Sequence, residues 1–120
     1  MDCLFCKINA GSVPTNIVYE DDVVTCFLDA FPDSNGHLLI IPKQHTLDLF
    51  SISDETLAHI MKVAQKMGKL LMDRLGCDGI VLVQNNGDAQ QIKHYHLHLK
   101  PTYQKPTPLL KPEEILARLK

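Results

Sequence analysis

The sequence predicts an α+β domain in which one long helix packs against an antiparallel sheet of about five strands. Short apolar runs bounded by turn-forming residues recur on both sides of a single long segment, 54–75, whose apolar residues have helical spacing. No internal repeat, low-complexity stretch or linker interrupts the chain. We therefore expect residues 1–120 to form one domain, with a short helix near each end.

The first third of the chain predicts a helical turn, a hairpin and a central strand. Cys3–Ile8 is apolar on one side and precedes a loop. Two β-favouring runs, Ile17–Glu20 and Val23–Asp29, are joined by Asp21-Asp22 and indicate a hairpin. His37–Pro42 is almost continuously apolar, as expected of a strand buried on both faces, and its proline ends it.

The remaining elements follow from helix signals and turn residues. Ser53 is suited to cap the helix Asp54–Leu75, and Gly76 is suited to end it. The run 80–84 predicts a second buried strand, and the polar loop 85–90 leads into a further strand over 91–101. Pro112 opens the short C-terminal helix.

Composition excludes several classes of protein. Of 120 residues, 45% are hydrophobic and 22% are charged, which is ordinary for a globular domain. The net charge of -2 argues against a nucleic-acid coat or a membrane-surface protein. No membrane span and no secretory signal is apparent, and Met1–Lys7 lacks a basic region followed by an apolar run. We expect a cytoplasmic protein with reduced cysteines and no nucleic-acid or membrane partner.

The segment Gln91–Pro101 carries half of the histidines. They occupy every second position: His94, His96 and His98. In a strand these side chains share one face, whereas Tyr95, Leu97 and Leu99 share the other. The row could be a strand's polar face without further role, a metal-binding set, or a nucleophile for a phosphorus or acyl centre. The preceding loop offers neutral donors but no carboxylate follows in the strand, which favours the nucleophile.

A second motif is Cys3-x-x-Cys6. Two thiolates at this spacing suit a tetrahedral zinc site, which needs two further ligands. The chain has no second Cys-x-x-Cys, so we expect His45 and His94 to complete the set. The alternatives are a pair of small buried side chains or a redox pair. Cys26 and Cys77 are expected to be buried thiols without a ligand role.

These motifs together resemble the histidine-triad (HIT) family of nucleotide hydrolases and transferases. The resemblance covers most of the chain and is carried by His94–Leu99 with Pro101, Gly36–His45, Cys3–Ile8, Val18–Asp21, Phe27–Asp29 and Asn85–Gly87. It is closest to the Hint-like branch, in particular to its bacterial members that have a Cys-x-x-Cys pair. The implied fold is the HIT fold.

The resemblance also implies catalytic roles. His96 would attack the α-phosphorus of a nucleotide and form a nucleotidyl-imidazole, which water then hydrolyses. His98 would contact the phosphate and assist the leaving group, and His37 would support the triad by hydrogen bonding. His94 would support it while joining Cys3, Cys6 and His45 on a structural zinc. No catalytic cofactor is implied.

The implied substrate is a nucleotide resembling AMP or GMP. Asp29 would hold the ribose hydroxyls, and Asn85, Gln90 and His98 would contribute to nucleotide binding. Four apolar residues would surround the base: Phe5, Ile8, Val13 and Phe27. Two positions depart from the family pattern, since Ala89 stands where glycine is usual and Gln91 where a small hydroxyl residue is common.

The resemblance favours a purine-nucleoside phosphoramidase over three alternatives. These are a diadenosine polyphosphate hydrolase, a zinc-stabilised nucleotide-binding protein with vestigial catalysis, and a metalloprotein that uses the histidine row as ligands. A homodimer is also implied, joined through the exposed side of helix 54–75 and strand 79–84. His59, on that helix, is expected to be a surface or interface residue.

Overall fold

The computed structural model describes residues 3–120; Met1 and Asp2, which entered the argument about a secretory signal, lie outside the described residues. The strands are β1 Ile17–Glu20, β2 Val24–Leu28, β3 Leu38–Pro42, β4 Gly79–Gln84 and β5 Leu97–Thr102. The helices are α1 Leu4–Asn9, α2 Asp54–Leu75 and α3 Pro112–Leu119, with a 3₁₀ turn at Gly87–Ala89. Within residues 3–120, no helix combines the length and apolar character that crossing a membrane requires.

The five strands form one antiparallel sheet in the order β1-β2-β3-β5-β4. The predicted fold class, with its long helix and short terminal helices, is therefore confirmed. The expectation that strand 80–84 is buried is wrong, because β4 lies at the sheet edge. Its Val81 and Leu82 are 48% and 46% exposed, whereas every residue of β3 is buried.

The two faces of the sheet are covered by different helices. The larger core joins α2 and α3 to one face and includes Leu38, Ile40, Leu97 and Leu99. The smaller core joins α1 to the opposite face and consists of Phe5, Ile8, Phe27, Leu39 and Ile41. Because strand side chains alternate, His98 of β5 lies on the α1 face, between two residues of the larger core.

The histidine segment differs from the prediction of a strand over 91–101. β5 begins only at Leu97, because the backbone before it is bonded elsewhere. The N–H of His94 donates to the Ile92 carbonyl at 2.9 Å, and that of Tyr95 donates to the Thr46 carbonyl at 2.7 Å. Tyr95 nevertheless packs in the larger core with Leu97, so the alternation of faces continues beyond the strand.

Both predicted ends of α2 are confirmed. The Ser53 hydroxyl accepts a hydrogen bond from the Thr56 N–H at 3.2 Å, which satisfies one of the free donors at the helix start. Gly76 has a φ of 63°, in the left-handed conformation that ends many helices. The helix is thereby fixed in length against the sheet.

Gly36 brings β3 and the long helix close together, and we expect Gly36→Ala to destabilise the protein. Its φ is +91°, and an added Cβ would lie 2.5 Å from Leu75 Cδ1 and 3.1 Å from both Leu71 Cδ2 and Pro101 Cγ. Strain and overpacking together should lower the free energy of unfolding by about 2–4 kcal/mol. Urea denaturation would measure this loss.

Gly76→Ala is the matched control for this prediction. Gly76 also has a positive φ, but an added Cβ would meet no heavy atom within 4 Å among its surroundings. It should therefore lose only about 1 kcal/mol, the cost of the left-handed backbone alone. Equal losses for the two variants would show that the close approach at Gly36 is unimportant.

Candidate functional site

Four sulfur and nitrogen ligand atoms converge between α1, the end of β3 and the segment before β5. They belong to Cys3, Cys6, His45 and His94 and lie within 4.8 Å of one another. Cys3 Sγ is 3.3 Å from His94 Nδ1, and Cys6 Sγ is 3.2 Å from His45 Nδ1. The helical turn α1 places both cysteines on the same side, with the Cys6 N–H directed at Cys3 Sγ at 3.4 Å.

The donor set suits tetrahedral zinc. At normal Zn–S and Zn–N bond lengths, a tetrahedral site separates sulfur from nitrogen by roughly 3.6 Å, close to the separations observed here. His94 Nε2 lies 2.9 Å from the Pro42 carbonyl, which can only accept, so this nitrogen carries the proton. His94 Nδ1 consequently presents a lone pair to the sulfur atoms, as a metal ligand must.

The other two cysteines lie apart from this set, as predicted. Cys26 is fully buried in the larger core, and Cys77 is buried after the long helix. Burial raises the pKa of the Cys26 thiol to about 12, so it remains protonated at neutral pH. Neither residue belongs to the group of ligand atoms described above.

A cavity of about 580 Å³ opens on the α1 face of the sheet beside this cluster. One end is apolar and is lined by Phe5, Ile8, Val13, Phe27, Leu39 and Ile92. The other end is polar and is formed by a group of residues in mutual contact: Asp29, Asp33, His37, His98 and Lys100. Asn85, Gln91 and His96 also line the cavity. Its size and its mixed lining suit a small ligand with one apolar and one polar part.

His96 lines the cavity and is only 5% exposed. Its Nδ1 donates to the His94 carbonyl at 2.8 Å, which leaves Nε2 as the nitrogen available to a substrate. The Phe5 ring meets it edge-on, with ring centroids 5.0 Å apart. Burial lowers the pKa of His96, which keeps the imidazole neutral and nucleophilic near pH 7.

The hydrogen bonds of His37 and His98 fix the tautomers of both rings. The backbone N–H of Asp33 donates to His37 Nδ1 at 3.1 Å, so the proton of His37 is on Nε2. That proton is donated to His98 Nδ1 at 2.9 Å. His98 therefore has its own proton on Nε2, which makes it a hydrogen-bond donor. The pKa of His98 is lowered to about 4, mainly by burial and to a smaller extent by the neighbouring imidazoles of His96 and His37.

The same geometry argues against joint metal binding by the histidine row. His94 lies with the two cysteines, whereas His37 and His98 form a group with Asp29. In that group, His37 Nε2 and His98 Nδ1 are 2.9 Å apart and are joined by a hydrogen bond, so neither nitrogen is free to bind a metal. The row is thus divided between a sulfur-containing cluster and a cavity.

The remaining nucleotide-binding candidates fall in different places. Asp29 lines the cavity; one of its carboxylate oxygens accepts from the Phe31 N–H at 2.9 Å, and the other lies 3.6 Å from His37 Nε2. Asn85 lines the cavity as well, but Gln90 is 4% exposed and donates its side-chain N–H to the Leu47 carbonyl. The structure therefore does not bring Gln90 to the cavity surface.

The two departures from the family pattern both lie at the cavity. Ala89 and Gln91 are exposed and line its wall. Ala89 closes the 3₁₀ turn, and the left-handed conformation of this loop is taken by Gly87 instead, with a φ of 64°. The alanine is therefore accommodated without backbone strain.

Sequence reasoning missed Lys100 and Asp33, which line the polar end of the cavity. Lys100 Nζ lies 2.7 Å from Asp33 Oδ2, and the two residues are far apart in sequence. The two-residue alternation that groups His96 with His98 also includes position 100 and would have identified the lysine. Asp33 lies in a loop and gave no such signal.

Known proteins are similar to this chain over most of its length. The HIT domain family model matches residues 10–105. An uncharacterised HIT-like protein of Methanocaldococcus jannaschii is 39% identical over 104 residues, covering 85% of this chain and 80% of the relative. The adenosine 5'-monophosphoramidase of Schizosaccharomyces pombe is 37% identical over 103 residues, covering 84% and 74%.

Solved structures show the same similarity in three dimensions. The crystal structure of a zinc-bound histidine triad family protein from Mycobacterium smegmatis superposes with a TM-score of 0.90 at 34% identity, covering 99% of this chain and 91% of that one. The family match spans most of the described residues, and the relatives are similar over most of their own lengths. The chain therefore belongs to the HIT family.

Proposed function

We propose that the protein is a nucleotide hydrolase or nucleotidyl transferase acting at the α-phosphorus, with purine-nucleoside phosphoramidase activity as its leading function. The observation that carries this proposal is the buried, neutral His96, whose Nδ1 is held by a carbonyl so that Nε2 remains free at the cavity. Relatedness to an adenosine 5'-monophosphoramidase and to a HIT family hydrolase of Legionella pneumophila supports it.

The proposed reaction has two steps. His96 Nε2 attacks the α-phosphorus, the P–N bond to the amine breaks, and the departing amine takes a proton from solvent. Water then attacks the nucleotidyl-imidazole, releases the nucleoside monophosphate and returns a proton to solvent. The first step exchanges one P–N bond for another, so the intermediate is comparable in energy to the substrate.

The residues around His96 have separate roles in this proposal. The His98 Nε2–H is available to donate to a phosphate oxygen or to the leaving group, while His37 holds its orientation. Asp29 would accept from the ribose hydroxyls, and Asn85 would donate to the phosphate. The apolar end, with Phe5, Ile8, Val13 and Phe27, would enclose the base. Gln90 would act indirectly, because its amide holds the loop that contains Leu47.

We further propose that zinc binds at Cys3, Cys6, His45 and His94 and that its role is structural. The cluster tethers α1 to the ends of β3 and β5, and α1 carries part of the apolar wall of the cavity. His94 is positioned by both sets of contacts, since its ring faces the sulfur atoms and its carbonyl binds His96. No catalytic cofactor is part of the proposed reaction.

A homodimer is the proposed assembly. The edge strand β4 exposes Val81 and Leu82, and a shallow apolar groove beside it is lined by Ala64, Gly68, Met72, Ile80 and Leu82. A second copy could extend the sheet at β4 and cover this groove. Sedimentation equilibrium would test this, because the chain mass is 13.5 kDa and the dimer has twice that mass.

A substrate panel tests the proposed activity. Nucleoside phosphoramidates and dinucleoside polyphosphates would be ranked by kcat/KM, with adenine and guanine forms of each. We expect a purine-nucleoside phosphoramidate to rank first. A dinucleoside polyphosphate in first place would favour the diadenosine polyphosphate hydrolase, and nucleotide binding without turnover of any member would favour the zinc-stabilised binding protein.

The pH dependence of kcat/KM is expected to reflect the lowered pKa of His96, the proposed nucleophile. An ordinary histidine loses its neutral form below about pH 6.5. Burial lowers the pKa of His96, so its neutral, nucleophilic form persists as the pH falls. The rate should be constant from pH 8 to about 6.5 and should decline below that, with a midpoint lower than that of an ordinary histidine. Circular dichroism at each pH would separate this decline from unfolding.

A further inference from the structure

The polar end of the cavity contains one strongly basic side chain, that of Lys100. Among the described residues that line the cavity, Lys100 is the one lysine or arginine. Asp29 and Asp33 contribute negative charges at the same end. A substrate that brings several phosphate charges into this space therefore depends on Lys100 to balance them.

Lys100 is placed beside the triad by the period of the strand. It follows His98 by two residues in β5, so the two side chains project from the same face with Cα atoms roughly 6.6 Å apart. Its backbone position is fixed by pairing with Val81 of β4. The ammonium group is carried on a flexible stem, and the side chain is 28% exposed, so it can reach a ligand in the cavity.

The partner of Lys100 is a group that a substrate can displace. Asp33 accepts from the lysine at 2.7 Å, but its side chain is 65% exposed. An ion pair this exposed contributes little stability, since water competes for both charges. Exchanging the carboxylate for a phosphate group therefore requires little free energy. The arrangement keeps the ammonium group close to the cavity without fixing it there.

We propose that Lys100 is a specificity-determining residue that favours substrates whose leaving group is itself a phosphate. This inference rests on the proposed attack at the α-phosphorus. When the P–O bond to a β-phosphate breaks, the electron pair remains on the leaving oxygen as added negative charge. The Lys100 ammonium stabilises this charge directly, and no proton is needed. An amine leaving group takes up a proton instead and gains less from a nearby cation.

The proposal predicts a selective effect of Lys100→Met. We expect kcat/KM for diadenosine triphosphate to fall about 10-fold or more relative to kcat/KM for an adenosine phosphoramidate. Lys100→Arg, which retains the charge, should restore most of that ratio. The matched control is Lys43→Met, because Lys43 is 32% exposed and is also paired with a carboxylate, that of Glu20, but lies outside the cavity.

Equilibrium binding tests the same proposal without turnover. Calorimetry with AMP and ADP should show that the wild-type protein prefers ADP, and that Lys100→Met reduces this preference at least about 5-fold. Asp33→Asn removes the carboxylate that competes for Lys100 and should increase the preference for ADP over AMP. If Lys100→Met weakens the binding of AMP and of ADP equally, Lys100 contacts the α-phosphate. If it changes neither affinity, Lys100 is a surface residue without a role in binding. Either result overturns the proposal.

Loss of the proposed activity and loss of the proposed role of Lys100 give different experimental results. If the wild-type protein hydrolyses no member of the substrate panel, the proposed function is wrong, yet the ADP preference still reports on the phosphate subsite. If the protein hydrolyses phosphoramidates but Lys100→Met leaves both ratios unchanged, the activity stands and the role of Lys100 is wrong.

Discussion

Replacing His96 with alanine is expected to reduce kcat/KM for the best nucleoside phosphoramidate by at least about 10³-fold. The substitution removes Nε2, the one ring nitrogen that its hydrogen bond to the His94 carbonyl leaves available. The remaining donors, including the His98 Nε2–H, would still polarise a phosphate but would have no nucleophile to direct at it. Steady-state assay of the purified variant measures the loss.

Two further variants distinguish chemistry from folding. His96 is buried against Phe5, so alanine also leaves a void. His96→Gln fills more of that space with a side chain that cannot form the intermediate, and it should be equally inactive. His59→Ala is the control and should retain activity, because His59 lies in α2, on the face of the sheet opposite α1, where it binds Asp21 at 2.7 Å. Full turnover by His96→Gln would exclude His96 as the nucleophile.

Replacing Cys6 with serine is expected to abolish stoichiometric zinc binding and to cause the largest loss of stability of the substitutions considered. We expect about one zinc per chain in the wild-type protein, since four ligand atoms converge within 4.8 Å. A metal whose free concentration is about 10³ times its Kd stabilises the folded state by about 4 kcal/mol. Loss of the site should therefore lower the free energy of unfolding by roughly that amount. Elemental analysis and thermal denaturation measure the two effects.

The controls for this prediction use another cysteine and a chelator. Cys77→Ser removes a thiol that lies apart from the cluster and should leave the zinc content unchanged. If the metal is structural, protein treated with a chelator should retain turnover at temperatures where it remains folded. Loss of activity without unfolding, with recovery on adding metal, would point instead to a metal that acts in the reaction.

The features that were predictable from sequence depend on local periodicity. The alternation of histidines with Tyr95 and Leu97 correctly separated two faces, because side-chain direction persists even where the strand's hydrogen bonds do not begin until Leu97. The caps of α2 were predictable for the same reason, since Ser53 and Gly76 act on neighbouring backbone groups. Both depend on residues a few positions apart.

The features that were not predictable depend on contacts between distant segments. Nothing near Gln90 in sequence indicates that its amide would bind the Leu47 carbonyl rather than face the cavity. The tautomers of His37 and His98 are fixed by a single backbone N–H, that of Asp33, whose position depends on the loop before β3. The edge position of β4 likewise follows from strand order, which apolar composition does not encode.

His94 contacts both the cysteine cluster and the proposed nucleophile. Its ring belongs to the cluster, and its carbonyl accepts a hydrogen bond from His96 Nδ1. If zinc at the proposed site holds this residue in the orientation that nucleotide binding requires, zinc would raise the affinity for nucleotide. By linkage, a bound nucleotide would then strengthen zinc binding by the same factor. A single residue would thus couple the retention of the ion to the occupancy of the cavity.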